Sequence, residues 1–260
     1  MILNKFRPLL GYNALKTLGF QLLALSLFSC NKTSNIYANK AFISITHVAY
    51  GVGPISTSLD GTPLYPGSLA FGLTTGDSLN PYDTTVSRIS EMLIQESTDT
   101  LLFGNQAFQQ QRSYSIFIYD TLDKSSVNMI ILQDYPSGGL ADTITNVRFM
   151  NFSPGTSIGF KLINNRKFFL ARDTIVISPK LFVGYNPSPS IYNFSQILVG
   201  NYTVFAFADS SSPAADSSNF KNLGLLQIDT SINYNVYFQG FTNDSSSGPN
   251  RFQLKSVPLN

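Results

Sequence analysis

One order of short apolar runs occurs twice along this chain, and any fold it adopts must accommodate both copies. The segment Ala41-Phe-Ile-Ser-Ile-Thr-His-Val-Ala-Tyr-Gly51 aligns without a gap on Thr145-Asn-Val-Arg-Phe-Met-Asn-Phe-Ser-Pro-Gly155, at an offset of 104 residues. Ile43 falls on Val147, Ile45 on Phe149, His47 on Asn151, and the same offset lays Leu59-Asp60-Gly61 on Ile163-Asn164-Asn165. Further on, Ser90–Gln95 matches Gly200–Phe205. Arg112–Phe117 then matches Ile232–Tyr237 at an offset of 120, the extra length falling largely in the loop-like stretch Asp209–Ser218.

Within each copy the runs alternate apolar with polar residues, or are apolar throughout. They favour Ile, Val, Phe, Tyr and Thr, which fit a pleated surface. Phe42–Val48, Ser113–Tyr119, Val127–Gln133, Asn146–Phe152, Asp173–Ser178, Asn201–Ala208 and Tyr234–Phe241 read as strands. Turn signals such as Asp60-Gly61, Asn164-Asn165 and Gly200-Asn201 punctuate them. No stretch past the N-terminus carries a helical stripe. The pattern predicts an all-β chain of two tandem β-sandwich domains, residues 41–136 and 143–260, joined through Ser137-Gly-Gly-Leu-Ala-Asp142.

Charge is scarce: 12% of residues are charged, against 43% hydrophobic. A typical soluble domain carries about 25% charged residues. Ser, Thr, Asn, Gln and Tyr fill the gap, which suits an extracellular β-protein better than a cytosolic helical enzyme. The net charge of +2 is misleading, because Lys5, Arg7 and Lys16 all precede the apolar run 17–29. Residues 30–260 hold 14 basic and 15 acidic side chains, with no basic patch dense enough to neutralise a phosphate backbone. No nucleic-acid partner is expected.

The apolar run of residues 17–29 is too short to cross a hydrocarbon core of about 30 Å as a helix, but it has the length of a signal-peptide core. It ends in Leu27-Phe28-Ser29-Cys30, and Cys30 is the only cysteine. The tetrapeptide resembles the bacterial lipobox, with Phe28 in place of the commoner small residue. Residues 1–29 are therefore read as a lipoprotein signal peptide. Cys30 is the lipidated residue, and 31–40 a polar tether. Several acyl chains on one terminus hold a membrane stably where a single chain does not. The expected location is the cell envelope, in the outer membrane, with the leaflet left open.

Four quoted elements carry a family likeness: Val147-Arg-Phe-Met-Asn-Phe-Ser-Pro154, Leu59-Asp-Gly61, Gly200-Asn-Tyr-Thr-Val204 and Asn233-Tyr-Asn-Val236. Together the two copies resemble a bacterial envelope family known as the domain of unknown function 4397. The first copy departs from its pattern, with Ala49-Tyr50 where Ser-Pro is usual and Ser90-Glu91 where Gly is usual. The resemblance implies immunoglobulin-like sandwiches in an exported protein, and supplies no catalytic residues.

Candidate chemistry is sparse. His47, the only histidine, shares strand parity with Ile43 and Ile45, so it is expected to face the core and bond turn backbone, as is Asn151. No catalytic, cofactor or metal site is assigned: zinc sites need several His or Cys, and no Gly-x-Ser-x-Gly elbow is present. Asp120, Asp123 and Asp134, or Asp77 and Asp83, are loop acids that could offer oxygens to calcium, but are read as solvated turn residues. Asp followed by Ser or Thr recurs with hydroxyls at Ser78, Thr84, Thr100, Thr121, Thr143 and Thr174. These resemble O-glycosylation acceptors of Bacteroidetes. The simpler reading is Asp closing a turn and Thr opening a strand. Tyr185, Tyr192 and Pro187-Ser-Pro189 could expose rings at one sandwich end for a glycan.

The functional expectation is a non-enzymatic envelope lipoprotein for binding, adhesion or structure, with the membrane as partner through Cys30. A surface glycan or protein would be the ligand, met by the loops Pro66–Tyr82 and Pro179–Tyr192. One alternative is a fimbrillin-like subunit polymerising by strand exchange. Another is a glycan-binding or glycan-processing protein.

Overall fold

The computed structural model describes residues 41–75, 88–119, 127–134, 143–154, 157–165, 174–183, 187–208, 221–240 and 252–259. Residues 1–40, with the expected signal segment and Cys30, and the expected linker 137–142 lie outside them. All the described residues belong to one unit, Asn39–Asn260.

The described chain is all-β and β-sandwich-like, in four sheets. The first, in the order β1-β6-β7, joins Phe42–His47, Ser113–Tyr119 and Asn128–Asp134. In the second, ordered β3-β2-β4-β5, Thr62–Pro63 and Ile55–Leu59 precede Arg88–Glu96 and Asp99–Phe108. A third, β11-β8-β14-β15, is made of Ser195–Leu198, Ile144–Asn151, Asn233–Gln239 and Gln253–Leu259. The fourth, β10-β9-β12-β13, comprises Thr174–Lys180, Ile158–Asn164, Gly200–Ala208 and Lys221–Ile228.

Alternation explains how the layers stack, since successive side chains point to opposite faces. Ile43, Ile45, Ile116 and Ile118 meet Ile55, Met92 and Ile94 in a first core. Phe149, Val236 and Phe238 meet Phe160, Leu162 and Val204 in a second, where Phe160 and Phe238 stack at 4.0 Å between centroids. The opposite faces of the same central strands are also covered. Phe117, Tyr119 and Leu132 meet Met150, Phe152 and Tyr237 in a third core. The strands β6, β8 and β14 are therefore covered on both faces, and β14 has no exposed position. The outer strands keep an alternating buried-exposed pattern, as in β2 and β5.

The ladders of the two halves share one register. Ile43 pairs with Tyr114 as Val147 does with Tyr234, and His47 with Ile118 as Asn151 with Phe238, both parallel. Val48 N–H donates to Ile118 O at 2.8 Å, and Phe152 N–H to Phe238 O at 2.9 Å. A β-bulge in β5 lies opposite Ile94 and Gln95 of β4, and one in β13 opposite Val204 and Phe205 of β12. Tyr114 Oη accepts from Gln109 N–H, as Tyr234 Oη accepts from Asp229 N–H.

One detail of the repeat alignment is corrected. Asp60 N–H donates to Glu91 O, and its structural equivalent is Asn165, whose N–H donates to Asn201 O, both at 2.8 Å. The offset at this turn is therefore one residue larger than the sequence alignment gives. The extra residue enters between β8 and β9, where a loop absorbs it without turning either strand inside out. At the turn itself Asp60 and Gly61 have φ of 48° and 75°, the left-handed pair that a two-residue hairpin requires.

Candidate functional site

Three places gather the polar side chains that such a chain could use. The first is the turn after β1. Ala49 N–H donates to His47 Nδ1 at 3.3 Å, which leaves the ring proton on Nε2, and Nε2 donates to Gly53 O at 3.0 Å. Burial holds the imidazole below its ordinary pKa, against the backbone carbonyls of Gly53 and Val52 and the charge of Glu96, which raise it. Both ring nitrogens are thus spent on backbone. Asn151 does the same work in the second half: Ser153 N–H donates to its Oδ1 at 2.9 Å, and its Nδ2 donates to Lys180 O at 3.0 Å. An amide substitutes for an imidazole because each offers one acceptor and one donor at similar reach.

The second place is a polar cluster inside the third core. Arg148 is 1% exposed and Asp134 3%. Arg148 Nη1 donates to Asp134 Oδ1 at 3.0 Å and to Asn235 Oδ1 at 3.1 Å, and Nη2 donates to Gln133 O at 2.8 Å. Its guanidinium also lies 4.1 Å from the centroid of the Phe194 ring. Ser115 Oγ donates to Asp134 Oδ2 at 2.7 Å and accepts from Asn235 Nδ2 at 2.8 Å. Burial pushes the Asp134 carboxyl up to about 6, and the opposing pull of Arg148, Ser115 and Asn235 does not cancel it. The arrangement binds one half of the chain to the other. It presents no open face to a substrate.

The third is a shallow hollow at the end of β8, lined by Asn151, Lys180, Leu181, Ser188, Ser190 and Ile191 among others. The chain here forms a 3₁₀ turn, Pro189–Tyr192, capped by Ser188. Leu181 and Tyr192 are 66% and 50% exposed beside it. Ile191 and Val183, from the same stretch, are buried in the third core.

Residues singled out in the sequence are brought together only in part. Thr100, Thr143 and Thr174 are exposed, whereas Ser78, Thr84 and Thr121 lie outside the described residues, as do Cys30, Asp77, Asp83, Asp120, Asp123 and Tyr185. Asp134, grouped in sequence with loop acids and read as solvated, is instead buried at the end of β7 on Arg148, because that end of the strand is covered by the second half. Of the loops expected to bind ligand, Gly72 N–H donates to His47 O at 2.7 Å and Thr75 N–H to Ile45 O at 2.7 Å, so Leu69–Thr75 covers the edge of β1. Sequence reasoning missed Arg148. Its signal was a lone cation inside the apolar run Val147-Arg-Phe-Met150.

Among the described residues, no group of three or more His, Cys, Asp or Glu is placed to hold a metal ion. No described helix is long and apolar enough to cross a membrane. No protein-family model matches the chain, and no curated protein matches its sequence.

Proposed function

We propose that this chain is a cell-envelope lipoprotein, anchored through lipid on Cys30, whose two halves are immunoglobulin-like sandwiches serving as a non-enzymatic binding or structural module. It would sit in the outer membrane and meet a surface glycan or protein. The resemblance to the domain of unknown function 4397 family and the short apolar run before Cys30 support the anchor and the export.

The observation that carries the module reading is the double burial of the central strands. A linker alone would leave the sandwiches free to turn. The third core fixes one against the other, so that Leu181, Tyr192 and the hollow beside them keep a set position. An exposed aromatic ring and an exposed aliphatic side chain on a rigid frame are what a binding surface needs. The titratable groups best placed for chemistry are already engaged: His47 on backbone, Asp134 on Arg148.

Two measurements test the reading. Palmitate labelling and membrane association should both be lost in Cys30→Ala, and persistence of both refutes the anchor. On a glycan and protein array, binding by residues 31–260 should fall at least about tenfold in a Leu181→Ser, Tyr192→Ser double variant. Binding that ignores the pair removes the hollow as the site, and turnover of any arrayed compound refutes the non-enzymatic role.

A further inference from the structure

Among the described residues the sheet edges of this protein are guarded unequally. A bare edge strand offers unpaired N–H and C=O groups to any extended chain, so natural edges carry lysine, proline, bulges or short length. Here β10 carries Pro179, Lys180 and an irregular register next to them. Strand β13 begins at Lys221 and is kinked at Gly224, where φ is 103°. Strand β15 holds Lys255 and Pro258, β3 and β11 are two and four residues long, and β1 is covered by Leu69–Thr75. Strand β7 has neither lysine nor proline, but only Gln133 of its seven positions is exposed, and Arg148 Nη2 donates to Gln133 O. Strand β5 runs for ten residues, and its bulge lies at its start, opposite Ile94 and Gln95. From Leu102 to Phe108 it is regular and has no charge and no proline, and among the described residues it pairs with β4 alone.

The face beside that edge is apolar. Phe103 is 64% exposed and paired with Leu93, while Ile89 is 69% exposed and paired with Ala107. Glu91 and Asn105 form the pair between them. This order is self-complementary. If two β5 strands run antiparallel about a two-fold axis at Asn105, Phe103 of each copy stands opposite Ala107 of the other. The outer face then carries two continuous rows, Leu93, Phe103, Ala107, Ile89 and the reverse. Across the seam Phe103 faces the small Ala107, and Asn105 faces its own copy at the centre, where two amides can bond each other. No charged residue lies on the seam from Leu102 to Phe108, whereas β10, β13 and β15 each bring a lysine.

We propose that β5 is a homodimerisation edge, joining two copies of this chain into one continuous eight-stranded sheet through Leu102–Phe108. The interface is isologous and therefore closes at two copies.

Sedimentation velocity on residues 31–260 should give a concentration-dependent dimer. Phe103→Lys and Ala107→Lys should each weaken it by about tenfold or more, since they set a cation into each row. Both side chains are exposed, so an unchanged far-ultraviolet circular dichroism spectrum checks that the fold survives. In residues 31–260, which hold no cysteine, Asn105→Cys should oxidise to a covalent dimer, whereas Gln227→Cys on the β13 edge should not. A protein that stays monomeric overturns the proposal. So does a dimer that both lysine variants leave intact, or one that Gln227→Cys cross-links as readily as Asn105→Cys.

Discussion

The two halves of this molecule share a ladder but not a joint chemistry, and the difference explains why they pair with each other. Under the repeat offsets Ser115 is equivalent to Asn235, and Phe117 to Tyr237. Each pair meets across the third core: Asn235 Nδ2 donates to Ser115 Oγ, and the rings of Phe117 and Tyr237 lie edge to face at 5.3 Å. Such self-contact of equivalent positions is the mark of a pseudo-two-fold axis. The ion pair breaks it. The place of Arg148 is held in the first half by Ser44, and the ladder partners Ser113–Asp134 and Asn233–Leu259 make Leu259 the counterpart of Asp134. Two second halves joined in this geometry would bury Arg148 against Leu259. Two first halves would leave Asp134 facing Ser44. A buried charge pair is weak evidence for stability, but it penalises wrong partners strongly. Its place here is to select unlike halves over like ones.

The largest expected effect concerns the joint as a core. Phe117 is fully buried between the two halves, whereas Phe103 stands in solvent on the outer sheet. Phe117→Ala should cost about 3–5 kcal/mol in urea denaturation, and Phe103→Ala less than about 0.5 kcal/mol in the monomer. Equal costs would mean that the third core adds nothing to the other two.

Next comes the asymmetric pair. Asp134→Ala should cost about 3–5 kcal/mol, because it leaves the Arg148 guanidinium buried without its counter-ion. Combining Asp134→Leu with Arg148→Met gives both sites apolar side chains, like the Leu259 opposite Asn233. That variant should recover most of the loss, with a coupling of about 1–3 kcal/mol. Simple additivity in the double-mutant cycle would show that the two charges do not act as a unit.

The smallest effect sharpens the same comparison through pH. Asp134 has a folded pKa raised from 3.8 to about 6, so between those values the folded state holds a proton that the unfolded state releases. Stability must then fall as pH rises through this window, by on the order of 1.4 kcal/mol per pH unit at most. His47 works oppositely: its pKa is lowered from 6.5, so its contribution is lost as pH falls below that value. Denaturation of His47→Asn between pH 4 and 7 isolates the first term. Adding Asp134→Asn should flatten the remaining slope, and a slope that survives assigns it to other groups.

Much of the architecture was legible because period-two alternation and turn residues are local. The strand runs Phe42–Val48, Ser113–Tyr119 and Asn146–Phe152 are strands within a residue or two, and Asp60-Gly61 is the hairpin turn its residue types require. His47 and Asn151 were legible too, as polar residues on a core parity just before a turn. What alternation could not reveal is what covers a strand's second face. Asn233, Asn235 and Gln239 in β14 carry the pattern of a solvent-facing row, and all three are buried.

The sequence by itself determined the all-β class, several strand runs and the Asp60-Gly61 turn, since each follows from neighbours two to four residues apart; the turn signal at Gly200-Asn201 instead opens β12. Only the tertiary structure decided that the central strands are covered on both faces, that Asp134 leaves its loop-acid grouping for Arg148, and that β5, among the described residues, pairs with β4 alone. Those outcomes depend on which surfaces meet after the chain has folded back across 87 residues between Arg148 and Asn235 and 120 between Ser115 and Asn235, and no local pattern encodes a contact at that range.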